Sequence, residues 1–190
     1  MKKVIVIGAT GSLAKQVIET AADRENIQLT LFVRNKRRLP NTWQKLYEVI
    51  EGDAMEYESI EKAITGHDVV YVNLAGNLEP MAMNIVKAMK ETGVNRIIAI
   101  SSIGIYNTPV KSVLLPYRKL ADIVENSGLT YTILRPDWFT DADEIDYTIT
   151  KKGEPEIGRA ISRKSIATFV TTILESPDLY KNENLGISKP

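Results

Sequence analysis

Apolar residues alternate between two patterns along this chain. Short, nearly unbroken runs rich in valine and isoleucine occur at Val4–Gly8, Ile27–Val33, Tyr47–Asp53, Asp68–Gly76, Arg96–Ser102 and Tyr131–Pro136. Between them, apolar positions recur at helical spacing. Leu13, Ala14, Val17, Ile18 and Ala21 form one such stripe, and Ile60, Ala63 and Ile64 a shorter one. Met81, Ala82, Ile85, Val86 and Met89 form a third, with Pro80 suited to a first helical turn and Gly93 to the stop. Leu120, Ile123 and Val124 mark a fourth helix before Gly128, and Ser162 is placed to cap a last one carrying Ile166, Phe169, Val170, Ile173 and Leu174. The tail ENLGISKP reads as a final edge strand. Strands apolar on both faces, each followed by a helix, predict a doubly wound α/β fold around a parallel sheet.

The length of 190 residues fits one domain, with an irregular substrate-side segment at about 136–160. Lysines plus arginines number 24 and aspartates plus glutamates 24, so a broad nucleic-acid surface or polybasic membrane patch is not indicated. The absence of cysteine removes disulfides, thiol nucleophiles and thiolate metal sites. The apolar run after MKK stops at Gly8, too short for a secretory segment, and no window approaches a membrane span; the expectation is a cytoplasmic protein.

The first strand runs directly into GATGSLA, Gly8 to Ala14. At a strand-to-helix turn in a doubly wound sheet, this is the place for a dinucleotide diphosphate. Gly8 permits the tight turn, Gly11 close backbone approach, and Ala14 close packing of helix on strand. The amides of the first helical turn, Ser12 and Leu13 among them, point at the anion, and the hydroxyls of Thr10 and Ser12 add donors. A strand-to-helix turn without a ligand is the competing reading of a bare glycine motif.

The end of the second strand selects the nucleotide. An acidic residue there binds the ribose of NAD; here FVRNKRRL places Arg34 at that point. A guanidinium holds a 2′-phosphate in a fork of hydrogen bonds, which favours NADP (NADPH) over NAD; a solvated basic turn is the alternative. Asp53 is placed to meet the adenine edge, or serves as a turn former after Gly52.

GATGSLA, FVRN, EGD, VNLAG, ISS and GLTYTILRP together resemble the atypical short-chain dehydrogenase/reductase superfamily, in particular its small NAD(P)H-binding, NmrA-like and biliverdin reductase B-like group. The resemblance implies a single-domain NAD(P)-binding Rossmann fold with strand order 3-2-1-4-5-6 and an added seventh strand. It implies that Leu74, Ala75 and Gly76 pass beneath the cofactor and that Pro136 sets backbone beside the nicotinamide. Ser102 matches the serine of the usual catalytic triad and Lys119 its lysine, a residue that also binds the nicotinamide ribose. The tyrosine position is then Leu115, which cannot donate a proton.

Three readings follow: hydride transfer without a protein tyrosine, Tyr106 or Tyr117 in its place, or binding without turnover. The expected pocket is lined by Asn73–Gly76, Ser101, Ser102, Tyr106, Lys119 and Arg135–Glu144. Trp138 and Phe139 form an apolar wall for a flat ring or merely pack under the loop. The acidic run Asp141, Asp143, Glu144 and Asp146 lacks the glycine turn and distal glutamate of a calcium loop and reads as a solvated loop, so no metal site is expected. His67, the single histidine, falls on a surface turn at the opposite end of the sheet. The functional expectation is an NADPH-dependent reductase of a small planar acceptor such as a flavin or quinone. The alternative is a non-catalytic nicotinamide-nucleotide sensor acting on a protein partner. Homodimers, common in the group it resembles, are a further expectation.

Overall fold

A computed structural model describes residues 1–190. Ten strands and six helices follow in order: β1 (Lys2–Ile7), α1 (Ser12–Ala21), β2 (Ile27–Val33), α2 (Asn41–Leu46), β3 (Glu48–Glu51), α3 (Tyr57–Ile64), β4 (Val69–Val72), α4 (Leu78–Thr92), β5 (Arg96–Ile100), α5 (Leu115–Glu125), β6 (Thr130–Pro136), β7 (Phe139–Thr140), β8 (Thr148–Lys151), β9 (Ile161–Ser162), α6 (Arg163–Glu175) and β10 (Glu183–Ser188). Eight strands form one sheet in the order β3-β2-β1-β4-β5-β6-β10-β8, parallel except for β8, and β7 pairs with β9 apart from it.

The apolar runs are explained by this sheet. Along β1, Val4 and Val6 enter a core shared with α1 and α6, while Ile5 and Ile7 enter a second core shared with α3, α4 and α5. Strands buried on both faces have no polar side to present, so the alternation typical of half-exposed strands is lost. The helix signals also hold. Ser162 Oγ accepts the Ser165 amide at 3.0 Å, and Gly93 ends α4 at φ +77°.

Two expectations change. The tail strand β10 is internal, lying between β6 and β8. Its residues are buried from Asn184 to Ser188, and such a strand needs a partner on each side. β8 supplies the second one from within the stretch read as irregular. Its sequence TITK is short and half-exposed, as a true edge strand is, and gives no apolar run to notice. The short helix α2, which carries Trp43 against the core, also lacks a sequence signal.

Arg96, at the N-terminal end of β5, ties the α6–β10 connection to the sheet. It donates to the carbonyls of Pro177 and Leu179 at 2.7 and 3.1 Å and to Thr132 Oγ1 at 2.7 Å. Burial presses its pKa down to about 10, so it remains charged at neutral pH. His67 lies at this same end, half-buried, with Nδ1 3.3 Å from the Ile64 carbonyl.

Candidate active site

The first six strands stop at a common level, and the residues that follow them line one cleft of about 1050 Å³. Such a volume is at the upper end of the range for small-molecule and cofactor pockets, roughly 300–1,000 Å³. The cleft lies where the chain order reverses, with β2 and β3 to one side of β1 and β4 to the other.

One end of the cleft is built from the glycine turn. Gly8 has φ +92°, and a Cβ there would stand 2.2 Å from the Asn73 carbonyl oxygen, so no other residue fits. At Gly11 a Cβ would stand 3.2 Å from Asn73 Nδ2, so the tight constraint there comes from the end of β4. The amides of Ser12, Leu13 and Ala14 find no acceptor within the protein, and α1 has neither a side-chain cap nor an acidic residue in its first turn. Three unpartnered donors at the positive end of a helix are suited to receive an anion. Gly8, Thr10, Gly11, Ser12 and Leu13 all line the cleft.

Arg34 leaves the end of β2 and lines the same region. It is exposed, and it makes no ion pair, in contrast to the many surface cations that do. Asp53 lines the cleft too, while its Oδ1 accepts the Met55 amide at 2.9 Å. It is therefore a turn former with one carboxylate oxygen left over. Leu74, Ala75 and Gly76 form the cleft floor after β4.

The other end is assembled from residues after β5 and β6. Ser101, Ser102, Pro136, Trp138 and Phe139 line it, with Lys111 from the approach to α5 and Tyr117 from its first turn. Ser101 Oγ donates to the Tyr117 carbonyl at 2.9 Å and Ser102 Oγ to the Ile103 carbonyl at 3.1 Å. Both hydroxyl protons are thus committed to backbone. The Tyr117 hydroxyl has no protein partner. Trp138 is 81% exposed, too open for a packing residue, and forms a free apolar rim.

Several expected lining residues are elsewhere. Lys119 is outside the cleft and pairs with Glu79 of α4. Tyr117 faces the cleft, and a residue two further along a helix is turned about 200° away. Leu115 is also outside the cleft and 45% exposed, so the inferred tyrosine position does not face the cleft. Four residues after Tyr117 stands Ala121, buried, where a lysine partner would be needed.

Tyr106 is likewise outside, its hydroxyl accepting from Asn184 Nδ2 at 2.7 Å. Burial, then the nearby Glu125, raises its pKa, so it stays protonated. Arg135 is buried on the face of β6 that meets Tyr106, bonded to Asn184 Oδ1 at 2.8 Å and ion-paired with Glu156. Residues 140–144 also lie off the cleft. Their carboxylates go to separate cations: Asp141 to Arg163, Asp143 to Lys164 and Glu144 to Lys189.

Sequence reasoning did not single out Glu156. Its Oε2 accepts the Gly104 amide at 2.9 Å, tying the loop after β5 to the connection between β8 and β9. Residues 52 apart meet there, and nothing local signals it.

The chain matches the NAD(P)H-binding family over residues 8–177. It belongs to that family. Among curated relatives, an isoflavone reductase homolog A622-like protein of Nicotiana tabacum is 31% identical over 153 residues, covering 73% of this chain and 49% of the relative. The chain thus spans about half the length of such plant relatives. A Rossmann-fold NAD(P)-binding family protein from Shigella flexneri superposes with a TM-score of 0.92 at 40% identity, over 100% of this chain and 94% of that one. A short-chain dehydrogenase/reductase from Veillonella parvula, solved in complex with NADP, gives 0.91 at 24% identity over 100% and 95% of the two chains. The Rossmann fold expected from the ordered motifs is therefore that of this NAD(P)H-binding chain. No helix is long and apolar enough to cross a membrane.

Proposed function

We propose that this chain is an NADPH-dependent reductase of a small planar acceptor of the flavin or quinone type. The observation that carries this reading is the continuity of the cleft, from the unpartnered amides of the glycine turn to the open aromatic rim at Trp138 and Phe139. A site for the dinucleotide alone has no use for an 81% exposed indole at its far end.

The bound dinucleotide would supply hydride chemistry. The chain's own residues then have distinct tasks. The amides of Ser12, Leu13 and Ala14 hold the diphosphate, Arg34 the 2′-phosphate, and Asp53 the adenosine side. Leu74, Ala75 and Gly76 support the cofactor from below, and Ser101, Ser102 and Pro136 shape the nicotinamide end. Trp138 and Phe139 take the flat face of the acceptor. Tyr117 is the one phenol on the cleft and the group in place to give a proton to the reduced acceptor. Lys119 has no part in this scheme.

A second reading, a nicotinamide-nucleotide sensor, is favoured by one specific feature. Lys119 is committed to Glu79 and the buried Ala121 fills the turn after Tyr117, so α5 carries no lysine on the face of Tyr117. Titration with NADPH, NADH and their oxidised forms, followed by addition of a flavin and a quinone, separates the two. Acceptor-dependent oxidation of NADPH supports the reductase. Binding without oxidation favours the sensor. The absence of binding overturns both.

A further inference from the structure

Arg163 opens α6, yet its guanidinium reaches the glycine turn 151 residues earlier. Nε donates to Ser12 Oγ at 3.1 Å. Nη1 donates to Asp141 Oδ1 at 2.6 Å and to the Thr140 carbonyl at 3.5 Å. The guanidinium carbon lies 5.1 Å from the centroid of Phe139, a residue of the acceptor wall. Nη2 donates to no protein atom. Arg163 is therefore the charged side chain bonded to a turn that otherwise offers only neutral donors.

Its present ion pair is weakly held. Arg163 is 23% exposed, whereas Asp141 is 94% exposed, and a carboxylate so open to water gains little from a cation. A diphosphate on the amides of Ser12 to Ala14 carries two negative charges in a partly enclosed cleft. Its oxygens match the planar fork of a guanidinium better than a single solvated carboxylate does.

We propose that Arg163 is a diphosphate-binding residue that exchanges Asp141 for the dinucleotide. In doing so it latches the phosphates to the Phe139 ring and the Thr140 carbonyl, contacts it keeps when Asp141 is released. The proposal rests on the cofactor reading above and adds to it a binding residue from the far end of the chain.

Calorimetric titration of the full chain tests it with two probes. NADPH contains the diphosphate; adenosine 2′-monophosphate lacks it but keeps the phosphate assigned to Arg34. Arg163→Ala should weaken NADPH roughly 10-fold, the scale of a lost charge-assisted hydrogen bond, and leave adenosine 2′-monophosphate within about twofold. Arg163→Lys should recover part of the loss. Asp141→Ala, which frees the guanidinium, should tighten NADPH roughly twofold.

Unchanged NADPH affinity in Arg163→Ala overturns the latch while leaving the cofactor reading intact. Equal losses on both probes mean that Arg163 acts through the fold, and that also overturns it. If Arg163→Ala does not fold, Asp141→Ala decides: weaker or unchanged NADPH binding rejects the proposal. Wild-type protein that binds neither NADPH nor NADH rejects the cofactor reading and the latch together.

Discussion

The two ends of the cleft are made in different ways. At the nucleotide end each element follows directly on the strand that delivers it: Gly8 after β1, Arg34 after β2, Leu74–Gly76 after β4. At the far end, the proposed acceptor end, the walls are held by contacts between distant parts of the chain. Gly104 is pinned by Glu156, Arg135 by Glu156 and Asn184, and the Phe139–Asp141 wall by Arg163. The first kind of site is pre-formed by local geometry. The second exists only when several pieces have packed, and it is free to vary with each of them.

Glu156→Ala should give the largest effect that separates the two ends. It leaves Arg135, 2% exposed, without its carboxylate, and such a loss typically costs about 3 kcal/mol or more. Denaturant melts should show that loss. NADPH affinity of the protein that remains folded should change by less than about threefold, a difference of under ~1 kcal/mol. A collapse of NADPH binding in folded protein would mean the ends are not separable.

Tyr117→Phe follows in size. If Tyr117 supplies the proton, turnover should fall about 10²-fold with NADPH affinity unchanged. An unaltered rate assigns the proton to solvent or acceptor. Arg34→Ala addresses the nucleotide end alone: NADPH should weaken by roughly 1.5 kcal/mol, and NADH hardly at all. Equal losses for the two dinucleotides would remove the 2′-phosphate assignment.

The smallest effect belongs to the sheet beneath both ends. Tyr71 on β4 is fully buried, its hydroxyl has no partner, and burial raises its pKa far above neutrality. Tyr71→Phe removes an unsatisfied polar group and should stabilise the fold by about 1 kcal/mol, with no change in binding or turnover. A destabilised variant would show that the hydroxyl has found a partner in solution.

These contrasts explain what was legible in the chain. The alternation of apolar runs and helical stripes was enough for a parallel sheet covered on both faces, because strands buried on both faces leave a strong, short-range signal; the order β3-β2-β1-β4-β5-β6 came only from the family resemblance. That GATGSLA and Arg34 would stand at the ends of β1 and β2 was legible because backbone geometry at a strand end is a local matter. Lys119 misled because its distance to Gly128 locates it along the helix but says nothing of the face it occupies. Only the packing of α5 on α4 turns it toward Glu79 and leaves Tyr117 over the cleft. The edge position of β8, and with it the burial of β10, was hidden for a related reason: a half-exposed TITK acquires meaning from the partner it covers.

The sequence by itself therefore determined the doubly wound architecture and the turn on which a dinucleotide's phosphates can rest, since both depend on residues close together in the chain. The tertiary structure decided which tyrosine faces the cleft, which arginine is buried and which reaches Ser12. Those outcomes depend on contacts between residues distant in the chain, up to 151 positions apart, whose geometry no local pattern encodes.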